Sequence, residues 1–265
     1  MVLYHESFRS KLKKKAAVYE REIEDFKRDG FCVFPQYFTP SRLAEVEANL
    51  QRYIREVVPV LDTPGTMYED VSEPNSLFRI EKMEQHDAFF RDLESDPTLA
   101  ELAAKLLDDV AVPHGTQMFA KAPRIGAGTP PHQDGYYFKL EPNNALTFWI
   151  AIDRADDENG CVRYVAGSHQ AGLRPHAKSQ SFGFSLGITD FGAADGDRER
   201  AVIIEPGDMI AHHCLTIHRT DDNTTQRLRR ALGIVYFGAS STVNAEAVRQ
   251  HAREVKAEWK STGRL

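Results

Sequence analysis

Three residues, two of them close in the chain and the third much later, have the chemistry of a metal centre: His132, Asp134 and His218. Two histidines and one carboxylate form the facial set that holds Fe(II) and leaves three coordination positions open. His132 and Asp134 are two residues apart, and on a strand that spacing puts both side chains on one face. The third ligand must then come from another strand brought alongside by the fold. Arg229 stands eleven residues past His218 (229 − 218). A guanidinium there could anchor the far carboxylate of a 2-oxo-acid cosubstrate, because arginine binds carboxylate bidentately. Together these residues point to an oxygenase. They have rivals. With ten histidines in the chain, a lone His-x-Asp carries little weight. His212 and His213 compete with His218 for the third position. Arg230 competes with Arg229, and strand alternation turns only one of the two inward. Arg230 would share a face with Leu232 and Ile234, which read as core, so Arg229 is the inward one.

The elements that must position these residues divide the chain in two. Residues 16–29 read as an amphipathic helix in which Tyr19, Ile23 and Phe26 share a face and Gly30 supplies the stop. Phe31 to Phe34 reads as a short strand. A second helix opens at Thr39-Pro40, with threonine as cap and proline in the first turn. Residues 58–76 carry Pro59, Pro64, Gly65 and Pro74 and read as a loop. Leu77 to Met83 reads as a strand, and Asp96-Pro97 opens another helix. From Val112 short apolar runs alternate with turn signals: Gln117–Lys121, Tyr136–Leu140, Ala145–Ile152, Val162–Val165, Ala201–Ile204, Met209–His213 and Ala231–Phe237. That spacing predicts a sandwich or barrel. A last helix starts at Asn244, with Val248, Ala252, Val255 and Trp259 on one side. The expected architecture is mainly β with flanking helices. It has a helical region over about 1–110, a double-sheet jelly roll over about 112–238 and a C-terminal helix over about 244–260, all in one domain, 1–265. An open parallel sheet is disfavoured, since the later strands lack crossover helices.

Composition narrows the function. A net charge of −6 and a pI near 5.9 call for neither a nucleic-acid nor an anionic-membrane partner. The basic run Lys11 to Lys15 reads as a solvated helix start. Cys32, Cys161 and Cys214 are too few and too scattered for a disulfide framework or a zinc site, and read as small buried hydrophobes in a reducing compartment. No apolar run suits a signal sequence or a membrane span, so the expected location is cytoplasmic.

Several motifs together resemble one family. Pro131-His132-Gln133-Asp134, Trp149 through Asp153, Glu158-Asn159-Gly160-Cys161, Gly167-Ser168-His169, Pro206-Gly207-Asp208, and His218 with Arg229-Arg230-Ala231 occur in order. In this the chain resembles the phytanoyl-CoA dioxygenase family of Fe(II)/2-oxoglutarate oxygenases. The resemblance implies a double-stranded β-helix of the cupin kind, with His132, Asp134 and His218 as iron ligands. It favours His218 over His212 and His213 because Arg229 stands at the family distance from it. It implies that Arg229 pairs with the distal carboxylate of 2-oxoglutarate, assisted by Thr220, and that Arg79 contacts the other end. It also places Trp149 on the pocket wall and Gln117 against cosubstrate or substrate, though Trp149 reads equally as plain core. Glu158, His169 and Asp208 read as turn or loop residues.

The implied reaction takes Fe(II), 2-oxoglutarate and O2, releases succinate and CO2, and hydroxylates an unactivated C–H bond of a small molecule. Relatives that halogenate lack the carboxylate that Asp134 supplies. Desaturation, ring closure and epimerisation belong to the same chemistry, and the family name does not fix the substrate. Tyr137, Lys139, Arg163, Arg174, His176 and His213 are candidate pocket residues, and the loops at 58–76 and 170–200 are candidates to shape it. Two other readings stand beside this one. One is a cupin-like metalloenzyme that does not use 2-oxoglutarate. The other is a non-catalytic binding protein on the same scaffold.

Overall fold

The structure, a computed structural model, describes residues 19–61, 65–70, 72–179, 186–250 and 253–254. α1 (Glu20–Asp29) brings Phe26 into the core and ends at Gly30, whose φ of 84° suits glycine and whose N–H meets the Phe26 carbonyl at 2.8 Å. β1 (Phe31–Phe34) follows. α2 (Pro40–Arg52) starts as the sequence predicts: the Thr39 hydroxyl accepts the Arg42 N–H and Pro40 sits in the first turn. α3 (Ala88–Glu94) and α4 (Pro97–Leu107) are capped by Asp87 and Asp96, which accept the N–H groups of Phe89 and Thr98. Between α2 and α3, β2 (Thr66–Tyr68) pairs with β3 (Leu77–Glu81).

The β half contains β4 (Ala111–Lys121), β5 (Thr129–His132), β6 (Leu140–Glu141), β7 (Ala145–Ala151), β8 (Val162–Val165), β9 (His176–Lys178), β10 (Leu186–Ile188), β11 (Glu199–Val202), β12 (Met209–His213), β13 (His218–Thr220), β14 (Arg229–Gly238) and β15 (Thr242–Val243). A large antiparallel sheet runs β1-β12-β7-β14-β4-β3-β2, and a smaller one runs β11-β8-β13-β5. β9 pairs with β10, and β6 with β15. This is the cupin-type jelly roll with flanking helices that the sequence predicts.

Strand alternation divides the core. All seven residues of β7 are buried, because this strand is covered on both faces. Leu146, Phe148 and Ile150 pack with Leu232, Ile234 and Tyr236 of β14 against the helices, in the cluster that also holds Phe26, Leu50 and Leu99. Trp149 and Ala151 point the other way and pack with Ala231, Val162 and Tyr164 between the two sheets. Each fully buried side chain of this size stabilises the fold by about 1.5–3 kcal/mol. The layer between the sheets is where the cavity opens.

Several local expectations change. Tyr136–Leu140 is not a strand: Gly135–Phe138 forms one helical turn, closed by Lys139 at a φ of 54°, and only Leu140–Glu141 is extended. The aromatic run reads as a strand by alternation, but the Asp134 carbonyl accepts the N–H groups of Tyr137 and Phe138 and bends the chain. The metal-candidate pair therefore lies where β5 ends, His132 as its last residue and Asp134 just before the helical turn. That strand, β5, holds Pro130 and Pro131, which obscured it; it survives as a sheet edge, where missing N–H donors are tolerated. The 58–76 segment contains β2, and the 77–83 strand stops at Glu81. Residues 245–250 are helical, and Val248 is exposed. Ala252, Val255, Trp259 and the Lys11 to Lys15 run lie outside the described residues. The three cysteines are buried and free. Among the described residues no helix is long and apolar enough to cross a membrane.

Candidate active site

The register of the small sheet brings the first two residues together. His132 of β5 and His218 of β13 are directly opposed partners, which puts their side chains on one face. Their rings lie 4.1 Å apart. Asp134 follows at the first turn after β5, and its Oδ1 is 3.7 Å from Nε2 of His132 and 3.7 Å from Nε2 of His218. One ligand atom from each of the three residues lies within 4.8 Å of the others. A single ion could be held by all three.

Backbone carbonyls set the histidine tautomers. His132 Nδ1 is 2.9 Å from the Pro130 carbonyl, and His218 Nδ1 is 3.0 Å from the Thr216 carbonyl. A carbonyl only accepts, so both Nδ1 atoms carry the proton and both Nε2 lone pairs face the centre. Outer hydrogen bonds of this kind orient metal ligands. Burial pushes the pKa of both imidazoles down, which keeps them neutral and ready to ligate. Burial alone would raise the Asp134 carboxyl, but the neighbouring His218, the hydrogen bond from His212 and the nearby His132 ring hold it well below the usual carboxylate range.

Two further residues complete the centre. His212 Nε2 lies 3.1 Å from Asp134 Oδ2, and the Thr147 hydroxyl lies 3.2 Å from the same oxygen. His212 and Thr147 are cross-strand partners on β12 and β7, so the large sheet grips one oxygen and leaves Oδ1 toward the histidines. His212 Nδ1 in turn faces the Tyr164 hydroxyl at 3.0 Å. Burial raises the Tyr164 pKa well above its ordinary value, so that hydroxyl donates to His212 and His212 donates to Asp134. Sequence reasoning treated His212 only as a rival ligand and missed Thr147. The available signal was alternation, since Thr147 shares a face with Trp149.

His132, Asp134, His218, Arg229, Arg79, Thr220, Gln117 and Trp149 all line one cavity of about 1070 Å³, its open mouth included. Arg229 is 4% exposed. Its Nη2 donates to the Gly160 carbonyl at 3.0 Å, its guanidinium lies 5.3 Å from the Trp149 ring centroid, and its Nε has no hydrogen-bond partner. Burial lowers its pKa to about 10, which leaves it charged at neutral pH. Arg230 faces the helical layer and pairs with Asp153 at 2.8 Å and Glu47 at 2.7 Å. Thr220 accepts the Thr129 N–H at 3.1 Å, tying β13 to β5. Arg79 donates to Gln117 at 3.4 Å, pairs with Glu81 at 2.8 Å and lies over Phe119.

The other candidates divide. Tyr137 lines the cavity and exchanges hydrogen bonds with the Leu186 backbone. Arg163 is bound by Asp157 and Asp221, and Arg174 by Asp190 and Asp195. Lys139, His176 and His213 are absent from the cavity wall, as are the described residues of 170–200. From the 58–76 segment Glu69 reaches it, and from β3 Phe78 and Arg79 do.

Comparison with known proteins bears on the family and the fold. The family described as phytanoyl-CoA dioxygenase (PhyH) matches residues 26–231. The peroxisomal phytanoyl-CoA dioxygenase of Bos taurus is 25% identical over 81% of this chain and 67% of its own. EvdO2 of Micromonospora carbonacea var. aurantiaca, solved with 2-oxoglutarate, superposes with a TM-score of 0.67 at 25% identity over 85% of this chain and 93% of that one. The epimerase SnoN, solved with Fe3+, alpha ketoglutarate and nogalamycin RO, shares the fold at a TM-score of 0.69 and 22% identity, covering 86% of each chain.

Proposed function

Because the chain belongs to the phytanoyl-CoA dioxygenase family, we propose that its Fe(II)- and 2-oxoglutarate-dependent dioxygenase activity hydroxylates an unactivated C–H bond of a small molecule. His132, Asp134 and His218 would hold Fe(II), and their neutral imidazoles and single free carboxylate oxygen suit a divalent cation with open positions. Bound there, Fe(II) with 2-oxoglutarate and O2 supplies the oxidising power, and oxidation of R–H to R–OH accompanies release of succinate and CO2.

The rest is positioning by the chain. Arg229 receives the distal carboxylate with Thr220 beside it, and Trp149 backs the guanidinium. Arg79 and Gln117 border the same space. Phe78, Tyr137 and Phe138 add apolar wall, which desolvates the substrate and keeps water from the reacting carbon. The observation that carries this reading is the His132–Asp134–His218 cluster in one cavity with a buried Arg229 that has no carboxylate partner among the described residues. A buried guanidinium without a counter-charge is costly, and a dicarboxylate cosubstrate supplies that charge. The reducing compartment implied by three free, buried cysteines supports a cytoplasmic location.

The test is anaerobic titration with Fe(II) and 2-oxoglutarate, watched for the weak visible charge-transfer band of the chelated cosubstrate. A band that vanishes in the Asp134→Ala protein is expected. Metal binding without any band would overturn the cosubstrate assignment. Succinate and CO2 release with candidate substrates then tests hydroxylation, and an oxidised product lacking new oxygen would overturn it.

A further inference from the structure

β4 and β14 place two cations side by side. Lys121 and Arg229 are directly opposed partners in the antiparallel register, so their side chains leave the same face. Both line the cavity, and each is 4% exposed. Lys121 has no carboxylate within ion-pair reach among the described residues. Its ammonium donates to the Ala127 carbonyl, which uses one of three N–H groups. Both cations also lean on Gly160. Its carbonyl takes the Arg229 bond. A Cβ there would come within 2.9 Å of the Lys121 side chain and 2.4 Å of the Asp221 carbonyl, at a φ of 78°. The chain therefore keeps a glycine where the Lys121 stem passes the Asp221 carbonyl.

The carboxylates that face Lys121 are otherwise engaged. Glu69, beyond β2, accepts the Ala127 N–H at 3.0 Å. Asp222, beyond β13, accepts the Gly128 N–H at 2.6 Å. Asp221 is bound by Arg163 and Arg219. The remaining charge packed against Lys121 is Arg229 itself, which repels it.

Resting on the reading of the cavity as a 2-oxoglutarate site, we infer that Lys121 is a second cation of that site, and that binding of the dianion draws a proton onto its amine. The physical basis is charge balance. Burial and then Arg229 push the Lys121 pKa down to about 7, because two desolvated cations oppose each other on one wall of the cavity. A carboxylate placed between them reverses the sign of the local field and favours –NH3+ over –NH2. The sign follows from this. Below pH 7 the amine is already charged and the anion binds to two cations. Above pH 7 a proton must be taken up first, so affinity falls as pH rises, until the pKa of the bound state is reached.

The experiment titrates 2-oxoglutarate into Fe(II)-loaded protein under anaerobic conditions between pH 6.5 and 8.5. The charge-transfer band gives Kd, and calorimetry in buffers of different ionisation enthalpy counts protons. For the parent protein Kd should weaken by up to tenfold per pH unit above 7, with uptake of as much as one proton. Lys121→Gln should bind at least tenfold more weakly at pH 6.5, with a flat profile and no Lys-linked uptake. Lys121→Arg, charged throughout, should keep tight binding and also lose the uptake. If the parent protein shows the band but no proton uptake, or if Lys121→Gln keeps the parent pH profile, the inference fails while the cosubstrate reading stands. A parent protein with no band at any pH overturns both.

Discussion

Replacing Arg229 with alanine should weaken 2-oxoglutarate binding by roughly 30- to 700-fold and leave thermal stability close to that of the parent protein. The magnitude follows from its surroundings. Arg229 is buried, stacked near Trp149 and, among the described residues, hydrogen-bonded by its side chain only to the Gly160 carbonyl. Hydrogen bonds to a charged group contribute about 1.5–3 kcal/mol, and removing one partner of a buried ion pair costs about 3–5 kcal/mol. Taking about 2–4 kcal/mol for the pair, at about 1.4 kcal/mol per decade, gives that range. Without cosubstrate the fold gains little from the residue, because the desolvated cation has no carboxylate partner among the described residues. Arg230→Ala should do the opposite. It breaks the contacts to Asp153 and Glu47 that pin β14 to the strand-end loop and to α2, so it should cost about 1–2 kcal/mol of stability and leave Kd within about twofold. Band-monitored titration and thermal melts on both variants decide the matter. If Arg230→Ala weakens binding more than Arg229→Ala does, the face assignment of β14 is wrong.

Other perturbations test the centre and its support. His132→Ala or Asp134→Ala should abolish iron-dependent turnover, and full activity in either would remove the ligand assignment. His212→Phe should weaken Fe(II) binding or turnover by about 10–100-fold with the ligands intact, because outer partners orient the ligating carboxylate; metal titration checks this. His213 sits outside the cavity, and burial followed by repulsion from His169 and His212 lowers its pKa to about 4. The unfolded chain therefore takes up a proton there near pH 6.5 that the folded chain refuses. Stability should fall as pH drops from about 6.5 to 4, with this residue accounting for up to about 3 kcal/mol. His213→Asn should show a shallower loss in melts at pH 7 and 4.5.

Much of this protein is legible from residue types and order. Short apolar runs mark Ala145–Ile152 and Ala231–Phe237 as strands, because β7 and β14 lie between two packed layers that their side chains enter by alternation. Thr39-Pro40 and Asp96-Pro97 mark helix starts because the first-turn N–H groups need an acceptor and proline lacks one to satisfy. The same alternation separates Arg229 from Arg230, since opposite faces of β14 meet the cavity and the helices. The types of His132, Asp134 and His218 state what could be bound. Only the tertiary structure decided how. Local pattern could not show that His132 and His218 pair across two strands 86 residues apart (218 − 132), that the chain turns helical at Asp134, or that His212 and Thr147 reach from the other sheet to hold one carboxylate oxygen. It could not place Lys121 beside Arg229 either. Those relations depend on register and on which faces of two sheets meet, and a strand's own sequence carries its alternation but not its partner.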